Sequence, residues 1–194
     1  CGGMGRAHAR GYRQIPGCRV VAGVEMDIEK ARQFVEISGA ERMFADYREM
    51  LVKEELDLVS VCTWPTTHCE ITLAAAAKGP KGILCEKPLA VTLDEADRML
   101  GACAAGGIIL ATGHQHRFDA QAVRARAWIR EGRIGDPVMF WGHCGLDLMN
   151  NGTHVLDLLH YFNGDAPAQW TMGQVDCRSR RVGQANHPDM VVED

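Results

Sequence analysis

Cys1-Gly2-Gly3-Met4-Gly5-Arg6-Ala7-His8 is the stretch whose reading decides the fold, because glycines at this spacing let a backbone turn sharply into a helix. Such a turn leaves the free N–H groups of the helix N-terminus open to a pyrophosphate. Gly2 and Gly5 supply a G-x-x-G, with the Gly3-Met4 backbone between them. The full dinucleotide fingerprint has one more glycine, and a strand before it. Both are expected upstream of residue 1, so the chain reads as beginning inside the motif.

Working outward, a helix-compatible run reaches Tyr12, and the β-branched segment Cys18–Val24 ends at Glu25, 20 positions beyond Gly5. In a Rossmann unit an acidic residue at about that distance, at the tip of the second strand, accepts hydrogen bonds from the adenosine ribose and repels a 2′-phosphate. Asp27 can do the same or cap the next helix. The reading favours Glu25 for the ribose, hence NAD over NADP, and Asp27 as N-cap. Ile28–Ile37 has the apolar spacing of an amphipathic helix and stops near Gly39. Phe44-Ala45 is a short strand, Tyr47–Val52 a short helix, and Leu56–Cys62 a strand apolar on both faces. Thr67 with Glu70 forms a capping box for a helix ending at Gly79. Gly82–Cys85 is the next strand, Thr92 with Glu95 caps another helix, and Ile108–Ala111 is a further strand. This β-α repetition predicts an α/β, Rossmann-type, doubly wound parallel sheet lacking its first strand.

The pattern changes after Gly113. Phe118–Arg130 reads as one longer helix, Pro137–Gly142 alternates like an antiparallel strand, Thr153–Phe162 is a helix closed by Gly164, and Trp170–Val182 alternates again. The expected organisation is a dinucleotide-binding domain over 1–113 and, over 114–194, part of an α+β substrate and oligomerisation domain with an open, mainly antiparallel sheet. That sheet is unfinished at Asp194, so truncation is expected at both ends.

The 194 residues carry a net charge of −4 without basic runs interleaved with aromatics, which argues against a nucleic-acid partner. No apolar stretch is long enough to span a bilayer and no leader is visible, so a cytoplasmic protein is expected. The eight cysteines, at 1, 18, 62, 69, 85, 103, 144 and 177, form no C-x-x-C pair and read as reduced structural thiols. His114 and His116 alternate on a possible strand like a metal pair, but no third ligand is indicated, and no metal is expected.

The strongest chemical signal is Glu86-Lys87-Pro88 after the Gly82–Cys85 strand. Ligands of open α/β sheets bind beyond the carboxyl ends of the strands, so a lysine there faces the cofactor crevice. Pro88 holds Lys87 out of the helical region. A lysine so placed can exchange a proton with a substrate hydroxyl.

Six short motifs follow in order: the opening glycine stretch, Thr63-Trp64-Pro65-Thr66-Thr67-His68, Cys85-Glu86-Lys87-Pro88-Leu89-Ala90, Arg117-Phe118, Gly132-Arg133-Ile134-Gly135 and Gly152-Thr153-His154-Val155-Leu156-Asp157. Together they resemble the glucose-fructose oxidoreductase and inositol dehydrogenase family (Gfo/Idh/MocA) along essentially the whole chain. The resemblance implies hydride transfer between NAD(H) or NADP(H) and a sugar, cyclitol or related polyol, in a homo-oligomer that pairs its open sheets.

The roles implied by the resemblance are as follows. Gly2, Gly3, Met4 and Gly5 border the pyrophosphate, Thr63 and Pro65 lie near the nicotinamide ribose, and Glu86 is a cofactor-side contact. His68 is either a cofactor contact or a residue of a helix first turn. Lys87 matches the catalytic lysine. Arg117 matches an arginine that meets substrate in some relatives, or else is a salt-bridged arginine. His154 matches the histidine that handles the proton at the substrate oxygen, a task suited to imidazole because it titrates near neutrality. Asp157 shares its helical face and either orients it or binds a substrate hydroxyl. The family often has aspartate four residues before this histidine, where this chain has Asn150, which can hold a hydroxyl but cannot take a proton. Either Asp147 or Asp157 then supplies the charge, or Lys87 and His154 act alone. The alternative is a non-catalytic dinucleotide-binding sensor of the same fold, towards which Asn150 leans.

Overall fold

The computed structural model describes residues 1–145, 148–174, 180–184 and 187–193, the last two segments as backbone only. Asp147 and Cys177 lie outside the described residues. The chain divides into two compact units, Cys1–Gly113 and His114–Asp194.

In the first unit the chain enters helix α1 (Gly3–Tyr12) at once, with Gly2 as an extended N-cap. Strand β1 (Ala22–Val24) is shorter than the Cys18–Val24 run suggested, because the turn closed by Cys18 N–H on the Ile15 carbonyl takes up its beginning. Helix α2 (Ile28–Ser38) starts where the Asp27 carboxylate accepts the Glu29 and Lys30 N–H groups at 2.9 and 3.2 Å. It stops where Gly39 takes the left-handed conformation, φ 68°, which glycine adopts without steric cost. Then come β2 (Arg42–Phe44), α3 (Tyr47–Lys53), β3 (Leu58–Val61), α4 (Pro65–Ala76), β4 (Gly82–Cys85), α5 (Leu93–Ala105) and β5 (Ile109–Thr112).

All strand pairings in this unit are parallel: β1 with β2, and β3-β4-β5 with β4 central. Parallel neighbours require crossover connections, and the helices supply them. Val59, Val61, Ile83 and Cys85 point into one core against Met50, Leu51, Cys69, Ala75, Met99 and Cys103 of α3, α4 and α5. A smaller core of Ala9, Phe34 and Ala40 forms under α1 and α2. The β3 strand is not sealed on both faces, contrary to its apolar reading. Leu58 is 55% exposed, because α1 reaches the Ser60 end of that face through Tyr12 and His8 and leaves the Leu58 end open.

Two helix starts read alike in sequence and differ in structure. Thr92 and Glu95 form the reciprocal capping box of α5. Thr67 and Glu70 do not: α4 begins earlier, with Trp64 as N-cap and Pro65 in its first turn. The Thr67 hydroxyl donates to Thr63 Oγ1 and is within reach of the Trp64 carbonyl, while Glu70 accepts from the Tyr47 hydroxyl at 2.6 Å. Proline at a first helical position pre-sets the start and displaces the box.

The second unit opens with a 3-10 turn (Gln115–Phe118), followed by α6 (Ala120–Arg130). The expected single helix from Phe118 is broken by Asp119, which is extended at ψ 135°. His114 and His116 therefore flank and enter a turn and do not alternate on a strand. Residues 137–142, expected as a strand, have no ladder partner among the described residues. Gly142 instead lies against α7 (Thr153–Phe162), where a Cβ would stand 2.4 Å from Val155 Cγ1. A π-helical turn (Leu148–Gly152) leads into α7. Strands β6 (Arg180–Gln184) and β7 (His187–Glu193) pair antiparallel. Among the described residues no helix is long and apolar enough to cross a membrane.

Thr92→Ala removes one half of the α5 box and is expected to destabilise the first unit by about 1 kcal/mol. Denaturant unfolding followed by helical circular dichroism measures this, and an unchanged midpoint would remove the box from the account.

Candidate dinucleotide and substrate site

Parallel strands deliver their carboxyl ends to one edge of a sheet, so Cys62, Glu86 and Gly113 follow β3, β4 and β5 on the same edge. Helix α1 brings His8 to that edge. Its Nε2 lies 2.9 Å from Glu86 Oε1, its Nδ1 3.1 Å from Ser60 Oγ, and Cys62 Sγ is 3.4 Å from Nδ1. Tyr12, one helical turn on, shares a 2.6 Å hydrogen bond with the same Ser60 hydroxyl.

Glu86 is 5% exposed, and burial alone would favour its neutral form. The hydrogen bond and charge of His8, with the Lys87 N–H at 3.3 Å from Oε2, nonetheless hold its carboxyl below the usual range. The hydrogen bonds of His8 to Cys62 and to Glu86 push its pKa up to about 9. The pair is therefore imidazolium and carboxylate at neutral pH. Gly113 lies directly against it: a Cβ there would stand 2.7 Å from Glu86 Oε1.

Lys87 follows Glu86 and joins Pro88 by a cis peptide. His68, expected either beside the cofactor or in a helix first turn, is in the first turn of α4 and wholly buried. Its Nδ1 is 2.9 Å from the Pro88 carbonyl oxygen and its Nε2 3.1 Å from that of Thr63. His68 is packed between the Thr63 turn and the Lys87-Pro88 turn and, being wholly buried, exposes no side-chain atom to a cofactor. Pro65 occupies the first turn of the same helix.

A Cβ built on Gly2 or Gly3 would meet no atom within 4 Å, whereas one on Gly5 would stand 3.9 Å from Cys62 Cβ. The turn is thus packed on its Gly5 side and leaves space beside Gly2 and Gly3, at a helix start whose first N–H groups have no intrahelical partner. A dinucleotide pyrophosphate fits this arrangement, with Gly2, Gly3, Met4 and Gly5 as the residues that would hold it. Glu25 follows β1 directly, its N–H bonded to the Phe44 carbonyl at 2.9 Å. Its partial burial disfavours charge, while the Asp27 N–H, 3.2 Å from Oε1, favours it.

The second unit has its own cluster. His154, in the first turn of α7, packs edge-on to His116 and His114, with ring centroids 4.6 and 5.6 Å apart. Asp119 pairs with His116 Nδ1 at 2.8 Å. His116, Asp119, Cys144, Asn151 and His154 line an open cavity of about 610 Å3 with Leu158 and Phe162. Asn150 lies in the π-helical turn beside it. The sequence placed His114 and His116 without a third imidazole, and the fold adds His154. Among the described residues, however, no group of three His, Cys, Asp or Glu side chains is placed to hold a metal.

Arg117, read as meeting substrate or as salt-bridged, is salt-bridged, and its partner is Asp157. Arg117 Nε donates to Asp157 Oδ2 and its Nη1 to Asp165 Oδ1, each at 2.7 Å. Arg126 Nη2 donates to Asp165 Oδ2 at 2.7 Å, and both guanidinium groups lie over the Tyr161 ring.

Sequence reasoning assigned no role to His8, Ser60, Tyr12, Cys62 or Asp119. A signal for the first group was present: His8 and Tyr12 are one turn apart on the helix that begins at the glycines, and Ser60 is a lone hydroxyl within the apolar run Leu56–Cys62.

Comparison with known proteins agrees with this architecture. Residues 1–114 match the Gfo/Idh/MocA description, an oxidoreductase family with an NAD-binding Rossmann fold. The chain is 30% identical over 184 residues to D-apiose dehydrogenase of Paraburkholderia graminis, covering 85% of this chain and 48% of that protein. It is 34% identical over 143 residues to inositol 2-dehydrogenase of Rubrobacter xylanophilus, covering 73% and 41%. A solved levoglucosan dehydrogenase, in complex with NADH and levoglucosan, superposes with a TM-score of 0.71 at 26% identity over 83% of this chain and 51% of that one. The chain spans about half the length of these relatives. Glycine turn, parallel sheet, Glu86-Lys87-Pro88 and the matched profile converge on one conclusion: the chain belongs to the Gfo/Idh/MocA oxidoreductase family, with its NAD-binding Rossmann fold in the first unit.

Proposed function

We propose that this chain is the cofactor-binding domain (1–113) and part of the substrate domain (114–194) of a cytoplasmic NAD-dependent dehydrogenase. Its substrate is a sugar, cyclitol or related polyol. The observation that carries the reading is the 2.9 Å contact between His8 and Glu86. It seats the residue before Lys87 against the very helix that opens on Gly2–Gly5.

When bound, NAD supplies a hydride acceptor at the nicotinamide ring. The chain supplies the rest. The N–H groups at the start of α1 hold the pyrophosphate, Glu25 holds the adenosine ribose, and Thr63 and Pro65 border the second ribose. Lys87 Nζ takes the hydroxyl proton as the substrate carbon is oxidised, and the imidazole of His154 assists at the substrate oxygen. Asn150 holds a hydroxyl and takes no proton. The apiose, inositol and levoglucosan dehydrogenases it resembles support a polyhydroxylated substrate class.

A regulatory reading, in which the fold binds dinucleotide without turnover, draws on Asn150 alone. Tight NAD binding that alters association with a partner, without oxidation of any polyol, would favour it.

Screening the protein against cyclitols and aldoses with NAD should reveal turnover that Lys87→Ala lowers by about 10²- to 10⁴-fold. Equal turnover in the variant would refute the role of Lys87. NAD is expected to bind more tightly than NADP, and Glu25→Ala to narrow that difference. Calorimetric titration of both cofactors decides it, and a native preference for NADP would overturn the assignment to Glu25.

A further inference from the structure

The family reading uses the glycine turn and Lys87 as separate parts, and it gives His8 nothing to do. Yet His8 is the side chain through which the helix at that turn touches Glu86. Its side chain is 13% exposed and that of Glu86 6%, so the pair is shielded from water where charge matters most. Glu86 receives His8 through Oε1 and the backbone N–H of Lys87 through Oε2, which makes its carboxylate a bridge between α1 and the lysine turn. The bridge has no slack on its other side, because Gly113 leaves room for no Cβ there. The other titratable groups around His8 are Cys62 at the end of β3, Tyr12 on its own helix and Lys87 beyond Glu86. Ser60 completes its shell.

We propose that His8 is a positioning residue for Lys87: as an imidazolium it fixes the Glu86 carboxylate, which fixes the Lys87 backbone, so that the pyrophosphate-binding helix and the lysine turn move as one piece. The proposal rests on the reading of Lys87 as the proton-handling residue. A neutral hydrogen-bonding side chain in place of His8 leaves Glu86 buried without its counter-charge, and a buried carboxylate so stranded rotates towards water or takes up a proton. Either change releases the Lys87 N–H. Dinucleotide affinity is set mainly at the α1 first turn and Glu25, which His8 does not touch, so turnover should suffer more than cofactor binding.

The test has one arm that needs no activity and one that does. In the first, nitrogen-15 spectra of the imidazole are recorded at pH 7.5 and through a titration. His8 should be protonated on both nitrogens, with its midpoint near 9. A neutral His8 ring at pH 7.5 overturns the proposal whatever the enzyme does. The linked stability has a definite sign. The folded value lies above the unfolded one of about 6.5, so the contribution of His8 is full between the acid range in which Glu86 protonates and that pH, and is lost as pH rises through about 9. His8→Gln should flatten that decline. In the second arm, His8→Gln is expected to lower kcat by about 10²-fold, the cost of a misplaced catalytic group, with NAD affinity nearly unchanged.

Glu86→Gln should lower kcat alike, and the kcat of the double variant should be no lower than that of either single one. Gly113→Ala, which pushes Glu86 from the opposite side with His8 intact, should reproduce the loss of kcat. A folded His8→Gln protein that keeps native kcat, or one whose kcat and NAD affinity fall together, overturns the proposal. If Lys87→Ala is inactive while His8→Gln is not, this inference alone fails. If Lys87→Ala is fully active, the reading of Lys87 fails, and the positioning role fails with it.

Discussion

A buried carboxylate needs a matching charge, and much of the first unit can be derived from that requirement at Glu86. The residue follows β4 at the carboxyl edge of the sheet and is almost fully enclosed. An isolated carboxylate there would cost several kcal/mol, so an ionised Glu86 demands a cation and good hydrogen bonds. His8 meets the demand only if α1 crosses the ends of β3 and β4 at hydrogen-bond distance. That crossing sets Tyr12 on Ser60 and Gly5 against Cys62. Gly113 is part of the same constraint, because any side chain there would occupy the space of the carboxylate. His68 does comparable work on the neighbouring turn, packed between the Thr63 and Pro88 carbonyls.

The second unit divides its polar residues between structure and chemistry. Arg117, Arg126, Asp157 and Asp165 satisfy one another around the Tyr161 ring and fix the 3-10 turn and α6 against α7. Charges closed in such a network carry a structural task. The imidazoles of His114, His116 and His154 lie apart from it, with His116, Asp119 and His154 at the wall of the open cavity. Asp119 reaches the histidine cluster through His116.

Family membership and fold were legible in the sequence because they depend on short-range patterns. Strand and helix alternation, the Gly39 stop, the Asp27 cap and the Thr92–Glu95 box all concern residues at most a few positions apart. The misreadings were local rules overruled by a stronger neighbour. Pro65 started α4 ahead of the Thr67–Glu70 box, the extended Asp119 cut the helix expected from Phe118, and the 137–142 stretch alternated without a strand to pair with among the described residues. The same limit governed the site. Motif position singled out Lys87, Glu86 and His154 as candidates, but that Arg117 and Asp157 pair with each other depends on a contact across 40 positions.

The sequence by itself determined the parallel α/β class, the family, the glycine turn and the lysine turn, since each is written in residue type and spacing along a few positions of chain. Only the tertiary structure decided that His8 charges against Glu86 over a separation of 78 residues, that His68 turns inward, and that three histidines pack together, two of them at one cavity. The physical reason is common to all three. Burial, counter-charge and ring packing are properties of the space around a side chain, and that space is filled by residues that periodicity and motif spacing cannot bring together.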